Sequence, residues 1–107
     1  MILTPSAEVA GHRVVRTLGL VYGNTIRARH VGKDILAGLK NIVGGEIQEY
    51  TKLMAESREQ AIDRMTSVAK ARGANAVINV NFSTSYVMGN ASEIVVYGDA
   101  VVLEKDS

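Results

Sequence analysis

The sequence predicts an α+β domain in which an antiparallel sheet carries a short and a long helix on one face. Between Tyr50 and Gly73, apolar side chains recur at steps of three and four residues, which is typical of a long amphipathic helix. From Ala74 to Met88 the spacing changes to alternate residues, which indicates a strand with one apolar and one polar face. Each element has one apolar surface, so packing them together removes both from water and predicts a two-layer subunit.

The composition limits the class of protein. The chain has 107 residues, 47% of them hydrophobic and 21% charged, so we expect a single domain over residues 1–107. A net charge of +1 gives no long-range attraction for nucleic acid or an anionic membrane, and neither partner is expected. The absence of cysteine excludes disulfides, thiolate metal ligands and a thiol nucleophile. No leader-like segment and no apolar run of about 18 residues is present, so we expect a soluble, cytoplasmic protein.

The first part of the chain predicts strands. Residues 1–4 fit a short strand that Pro5 ends, because proline lacks a backbone donor. The largely β-branched and apolar run from His12 to Tyr22 predicts a second strand. The pair Gly23-Asn24 is then either a turn into another short strand or a bulge in one strand that reaches Ala28.

Two helices are predicted next. Apolar residues at helical spacing from Val31 to Val43 indicate a short helix, and Gly44-Gly45 separates it from the long one. Gly73 is expected to close the last turn of the long helix in a left-handed conformation. The predicted buried stripe of the long helix comprises Tyr50, Leu53, Met54, Ala61, Ile62, Met65, Val68, Ala69 and the stem of Arg72.

The last two strands are predicted to form a hairpin. The loop at residues 89–92 has turn chemistry, and residues 93–104 return antiparallel. The expected apolar face of the first strand comprises Ala76, Ile78, Val80, Phe82, Thr84, Tyr86 and Met88. The other face is a polar ladder of Asn79, Asn81, Ser83 and Ser85. That ladder could face solvent, line a central opening or contact a neighbouring subunit.

Apolar residues on both faces of a strand predict self-association. Residues 14–21 and 95–103 are apolar on both sides, whereas the helices of one chain can cover one side of an antiparallel sheet. We therefore expect other copies of the chain to bury the second side in a homo-oligomer. Replacing Gly98 by glutamate is expected to abolish this assembly, because a bulky charge would enter a packed sheet face.

Several short motifs carry a resemblance to a known family. Lys33-Asp34, the run GLKNIVGG at residues 38–45, Tyr50 and the run GANAV at residues 73–77 stand in an order that resembles the YbjQ family. This largely uncharacterised family is also called the putative heavy-metal-binding domain family. The resemblance covers nearly the whole chain and implies a small α+β subunit that assembles into a ring-shaped homopentamer.

The chain departs from the family pattern at three positions. Lys40 and Asn41 stand where the family usually has arginine and aspartate, and Glu46 stands where arginine often follows the double glycine. A ligand role for that arginine is therefore not carried over to this chain. No residue motif accompanies the family's metal label.

Candidate chemistry is sparse. His12 and His30 are the metal-ligand candidates for a divalent ion, but they are far apart in the sequence, so a site would need a ring of His or Glu across subunits. No serine lies in a Gly-x-Ser-x-Gly motif, and no catalytic or cofactor-binding set is found, so we do not expect an enzyme. Gly44-Gly45 could bind phosphate through backbone N–H groups, but Glu46 and Glu49 favour a turn.

The preferred interpretation is a non-enzymatic homo-oligomeric, pentameric assembly or binding module. The alternative is a metal- or small-ligand-binding protein with sites between subunits. The sequence does not predict a specific protein partner.

Overall fold

The computed structural model describes residues 1–27, 45–88 and 91–107. In chain order they form β1 (Ile2–Leu3), β2 (His12–Arg27), α1 (Gly45–Ala71), β3 (Ala76–Met88) and β4 (Ala91–Lys105). The short helix predicted for residues 31–43, and His30 before it, lie outside the described residues.

The four strands form one sheet in the order β1-β3-β4-β2. β4 pairs antiparallel with both β2 and β3, so the predicted hairpin is confirmed. β1 runs parallel to β3, with Ile2 opposite Ala76 and Leu3 opposite Val77. The α+β class is confirmed, but the expectation of a purely antiparallel sheet is wrong at this edge. A parallel pair needs a long crossover, which β2 and α1 supply between β1 and β3.

α1 begins at Gly45, earlier than predicted, and ends as predicted. Gly73 has φ of 90°. Its N–H donates to the Lys70 carbonyl at 2.9 Å, and the N–H of Ala74 donates to the Ala69 carbonyl at 3.0 Å. This pair of bonds is the Schellman motif, which satisfies carbonyls that the helix leaves free.

The main core lies between α1 and the sheet, where the helix packs chiefly on β2 and β4. The fully or nearly fully buried members of this core are Val21, Ala61, Met65, Ala69, Val77, Ile94, Val96 and Ala100. The buried side of α1 follows four-residue steps through Ser57, Ala61, Met65 and Ala69. Val68 is 38% exposed, so the buried stripe is rotated away from its predicted position. Small residues on the buried side bring the helix backbone close to the sheet.

At Gly23 the helix backbone lies directly against the sheet. A Cβ at Gly23 would overlap the carbonyl oxygen of Ala61 and would lie 2.5 Å from the backbone nitrogen of Met65. β2 continues through this position to Arg27 as one strand, so the alternative of a turn is excluded. Its register shifts lie between residues 14 and 16 and between residues 17 and 19, and not at Gly23.

β3 contains a bulge that exchanges its two faces. The register passes from Ile78 opposite Asp99 to Asn81 opposite Tyr97, so β3 has one extra residue there. Asn79 has φ of 55°, a conformation that asparagine adopts more readily than most residues. Val77 and Val80 consequently both pack toward α1, whereas Ile78 packs on the opposite side. The prediction of one continuous apolar face from Ala76 to Met88 is therefore wrong.

Candidate functional site

The side of the sheet that faces away from α1, here called the open face, is partly covered by the chain itself. Ala76, Ile78, Val101 and Leu103 form a second buried cluster on this side. Val9, from the segment that precedes β2, packs against that cluster. The end of the open face near β1 is therefore closed within one subunit.

The rest of the open face exposes large apolar side chains. Leu20 is 59% exposed, Tyr22 60%, Ile26 55% and Tyr97 37%. Val95 lies among them and is half-buried. We call these five residues the bare patch. They confirm the expectation that β2 and β4 carry apolar side chains on both faces.

The strand register makes the bare patch continuous. Tyr22 lies directly opposite Tyr97, and Val95 lies opposite Asn24, so that it is diagonal to both Tyr22 and Ile26. Side chains opposite each other on one face of an antiparallel pair have Cβ atoms about 4.5–5.5 Å apart, so the two tyrosines are neighbours. On the other side of β4, Tyr97 faces Asn81. The bare patch is thus an aromatic centre bordered by polar residues.

Hydrogen bonds hold this polar border in place. The Nδ2 of Asn24 donates to Oε2 of Glu93 at 3.0 Å. The Nδ2 of Asn79 donates to Oδ2 of Asp99, and the Nδ2 of Asn81 donates to the Asn79 carbonyl, both at 3.0 Å. An ionised carboxylate has about four acceptor positions, so Glu93 and Asp99 can accept further bonds.

The predicted polar ladder is divided by the bulge. Asn81, Ser83 and Ser85 are exposed and share the open face, in register with β4. Asn79 occupies the bulge instead and bonds to Asp99. Contact of the ladder with a neighbour or a central opening stays a prediction.

Gly98 belongs to the interior of the subunit. A Cβ at this position would lie 2.7 Å from Cγ1 of Val77 and 2.8 Å from the carbonyl oxygen of Ile78. Its neighbours Val96 and Ala100 at alternate positions of β4 pack toward α1. Glutamate at this position would disrupt the fold of one subunit. The substitution is consequently not a specific test of assembly, contrary to the expectation from sequence.

Of the two predicted metal ligands, His12 lies within the described part of the chain and His30 does not. Its Nδ1 lies 2.9 Å from the carbonyl oxygen of Ala10. A carbonyl can only accept, so Nδ1 carries the proton and Nε2 of the neutral ring keeps a free lone pair. His12 lines a cavity of about 460 Å³ together with Met1, Asn75, Leu103 and others.

The other requirements of a metal site are not met among the described residues of one subunit. Among residues 1–27, 45–88 and 91–107, no group of three or more His, Cys, Asp or Glu could hold a metal ion. The same residues contain no buried side-chain polar atom without a hydrogen-bond partner. A metal at His12 would need ligands from beyond the described residues of its own subunit.

Two arginine contacts were missed by sequence reasoning. Nη1 of Arg64 donates to the Asn24 carbonyl at 2.6 Å, and Nη1 of Arg72 donates to the Leu20 carbonyl at 2.8 Å. The available signal was their eight-residue spacing on one side of α1. That spacing does not identify backbone carbonyls of a distant strand as partners.

Sequence comparison identifies close relatives. A family model with the description "Putative heavy-metal-binding", that of YbjQ, matches residues 1–104. A UPF0145 protein of Dehalococcoides mccartyi is 62% identical over 104 residues, which are 97% of this chain and 100% of the relative. A UPF0145 protein of Archaeoglobus fulgidus is 54% identical over 103 residues, which are 96% of this chain and 95% of the relative.

A solved structure has the same fold. A protein of unknown function from Pediococcus pentosaceus, of the DUF74 family, superposes with a TM-score of 0.64 and covers 97% of this chain and 98% of its own. Its sequence is 13% identical, so the likeness concerns the fold alone. Within the part of the chain that the structure describes, no helix is long and apolar enough to cross a membrane. Because the family model matches residues 1–104 and the relatives named UPF0145 proteins are 54% and 62% identical, the chain belongs to the YbjQ family.

Proposed function

We propose that this protein is a non-enzymatic homo-oligomeric assembly module whose subunits associate through the bare patch. The observation that carries the proposal is the joint exposure of Leu20, Tyr22 and Ile26 on the side of the sheet opposite α1. Monomeric soluble proteins seldom expose a large contiguous apolar surface. Contact with another copy would remove it from water, at about 25 cal/mol per Å² of apolar area.

The arrangement of the patch resembles the usual anatomy of an interface. Tyr22 and Tyr97 lie at its centre, and tyrosine is among the residue types that contribute most to binding. Asn24, Glu93 and Asp99 lie around them and offer polar contacts at the border. The resemblance to the YbjQ family implies a ring of five, and we propose that stoichiometry. A ring forms when each copy presents a different surface to each of its two neighbours.

A charge in the patch tests this proposal. Leu20→Lys replaces a side chain that is already exposed in one subunit, so the subunit should fold while a lysine enters the proposed interface. Native mass spectrometry and light scattering should show a pentamer for the wild-type protein and smaller species for the variant. Ser67→Lys, on the exposed side of α1, adds the same charge outside the patch and should stay pentameric.

Two results would overturn the proposal. A wild-type protein that is monomeric at micromolar concentration would reject assembly itself. A Leu20→Lys variant with the wild-type stoichiometry would reject the bare patch as the contact surface.

A second candidate function is metal or small-ligand binding between subunits. It is favoured by the free Nε2 of His12, whose Nδ1 is bonded to a backbone carbonyl, as in many metal-binding histidines. Imidazole nitrogen suits zinc, copper and nickel. Structural zinc sites use four protein ligands, so one histidine from each of several subunits would have to converge.

Metal uptake tests this second candidate. Chelator-treated protein is dialysed against Zn²⁺ or Ni²⁺, and bound metal is counted by native mass spectrometry. We expect a defined number of ions per oligomer and a lower number for His12→Ala. Lys105→Ala changes a side chain that lines the same cavity and should keep the wild-type uptake. Equal uptake by His12→Ala and the wild-type protein would remove His12 as a ligand.

A further inference from the structure

The outer edge of β2 is a potential site of strand addition. β2 ends the sheet, is 16 residues long and pairs, among the described strands, with β4 alone. An edge strand presents unpaired N–H and C=O groups that can accept a strand from another chain. So long an edge without protection would favour association.

Arg64 and Arg72 occupy this edge at a regular interval. They bond to the carbonyls of Asn24 and Leu20. Eight residues of helix rise about 12 Å. Four residues of strand span about 13 Å. The distance between the two arginines along α1 therefore matches the distance between the two carbonyls along β2.

The bonded carbonyls are the ones that an added strand would need. Within an antiparallel strand, the N–H and C=O of one residue point to the same side, and successive residues alternate. The backbone N–H and C=O groups of Leu20, Tyr22 and Asn24 therefore point outward in the plane of the sheet, away from β4. Each guanidinium group replaces one backbone donor that an incoming strand would supply.

The charge of the two arginines adds to this effect. Within the described residues, the ion pairs join Arg13 to Glu104 and Asp106, and none involves Arg64 or Arg72. Among the described residues, neither cation has a carboxylate partner that neutralises it beside the edge. Charged side chains at an edge are a recognised protection against strand addition, because the incoming strand would have to desolvate them.

A second copy of the chain carries a matching edge. β1 pairs with β3 at Ala76 and Val77, so the outer edge of β3 from Phe82 onward has no partner among the described strands. Residues 82–86 of that edge carry no charged side chain that would oppose pairing. Addition of this β3 edge to β2 of the next copy would leave the same two edges free at the ends, so it could repeat.

We propose that Arg64 and Arg72 are edge guards, which close β2 to addition of the β3 edge of a second copy of this chain. The inference is independent of assembly through the bare patch, because it concerns the backbone edge of β2 and not the open face. Its consequence is that association through the β2 edge is suppressed, whereas association through the open face of the sheet remains available.

The double variant Arg64→Ala/Arg72→Ala tests the guards. It frees both carbonyls and should give species whose mass rises several-fold and continues to rise with protein concentration, measured by sedimentation velocity and light scattering. Arg58→Ala/Lys70→Ala removes two exposed cations from the same helix and should keep the wild-type mass. Equal masses for the guard variant and the wild-type protein would overturn the proposal.

A proline on the partner edge identifies the contact. The N–H of Val80 donates to the Thr4 carbonyl on the β1 side, so the N–H of Thr84 points the same way. Adding Thr84→Pro to the double variant removes that donor and should return the mass to the wild-type value. Growth that persists in the triple variant would overturn β3 as the partner strand.

Single variants and a patch variant complete the test. Arg64→Ala and Arg72→Ala each free one carbonyl and should each associate less than the double variant, which preserves the test if the double variant does not fold. Introducing Tyr97→Lys, which places a charge in the bare patch on the inner strand β4 and leaves the edge strand β2 unchanged, separates this inference from the proposed function. Edge-driven growth should persist in that background even though the closed oligomer is lost.

Discussion

At Gly23 the backbone of α1 lies so close to β2 that no side chain fits between them. The obstacles to a Cβ are backbone atoms of Ala61 and Met65, which cannot rotate away as a side chain could. We expect Gly23→Ala to lower the free energy of unfolding by about 3 kcal/mol, because the helix must move off the sheet. Urea unfolding of the purified protein measures this loss.

Gly11→Ala is the matched comparison for this prediction. Gly11 has φ of 74°, but a Cβ there would meet nothing within 4 Å. Only backbone strain should follow, at about 1 kcal/mol. If both variants lost the same stability, the close packing of helix and strand at Gly23 would not be a determinant of the fold.

The two best understood glycines differ in how far the sequence reveals them. The role of Gly73 was predictable because a helix C-terminus is local: the apolar spacing ends there and the period changes at the next residue. The role of Gly23 was not predictable, because the atoms that exclude a side chain belong to a helix turn distant in sequence. A glycine within a strand suggests a bulge, a bend or a close neighbour, and sequence alone does not choose.

At the scale of the element, the register of β3 depends on one residue in its bulge. Asn79 combines a left-handed conformation with a hydrogen bond to Asp99. Asn79→Gly removes the bond but keeps the conformation accessible, whereas Asn79→Val loses both. We expect the valine variant to be less stable than the glycine variant by about 1–2 kcal/mol in thermal or urea unfolding.

The relative stability of these two variants shows whether the bulge requires a positive φ at residue 79. If valine were tolerated as well as glycine, the bulge would not require a positive φ, and the face exchange in β3 would need another cause. A valine variant that stays folded should still show the same strand register by amide hydrogen exchange, because the core residues on each side of the bulge are unchanged.

The bulge also explains which parts of β3 were predicted. Alternation of apolar and polar residues identified the strand, and it held within each short segment on either side of Asn79. Asn79 itself fits the polar positions of the alternation, so the sequence pattern gives no sign of the extra residue. A single additional residue exchanges the two faces of everything that follows.

At the scale of the whole molecule, the apolar character of both sheet faces was visible in the sequence and the division of the open face was not. Val9 closes one end of that face from a segment without regular structure, so neither period predicted its contact. The candidate contact surface is therefore smaller than the sequence implied. His12 could be named as a candidate from its residue type, but its bond to Ala10 depends on the folded backbone.

Assembly through the bare patch should also appear in the thermal stability. Association of folded subunits stabilises the native state by mass action, so the melting temperature should rise with protein concentration. The wild-type protein and Ser67→Lys are expected to show this dependence. Leu20→Lys should melt at a temperature that does not depend on concentration.

Both chain termini lie at the closed end of the sheet. Met1, His12 and Lys105 line the same cavity, beside the part of the open face that Val9 helps to cover. Eight residues of β4 separate Lys105 from Tyr97, a span of about 26 Å along the strand. A fluorescent label or a fused domain attached near Met1 or Lys105 would therefore lie away from the bare patch, and several copies could be displayed together without obstructing the assembly proposed above.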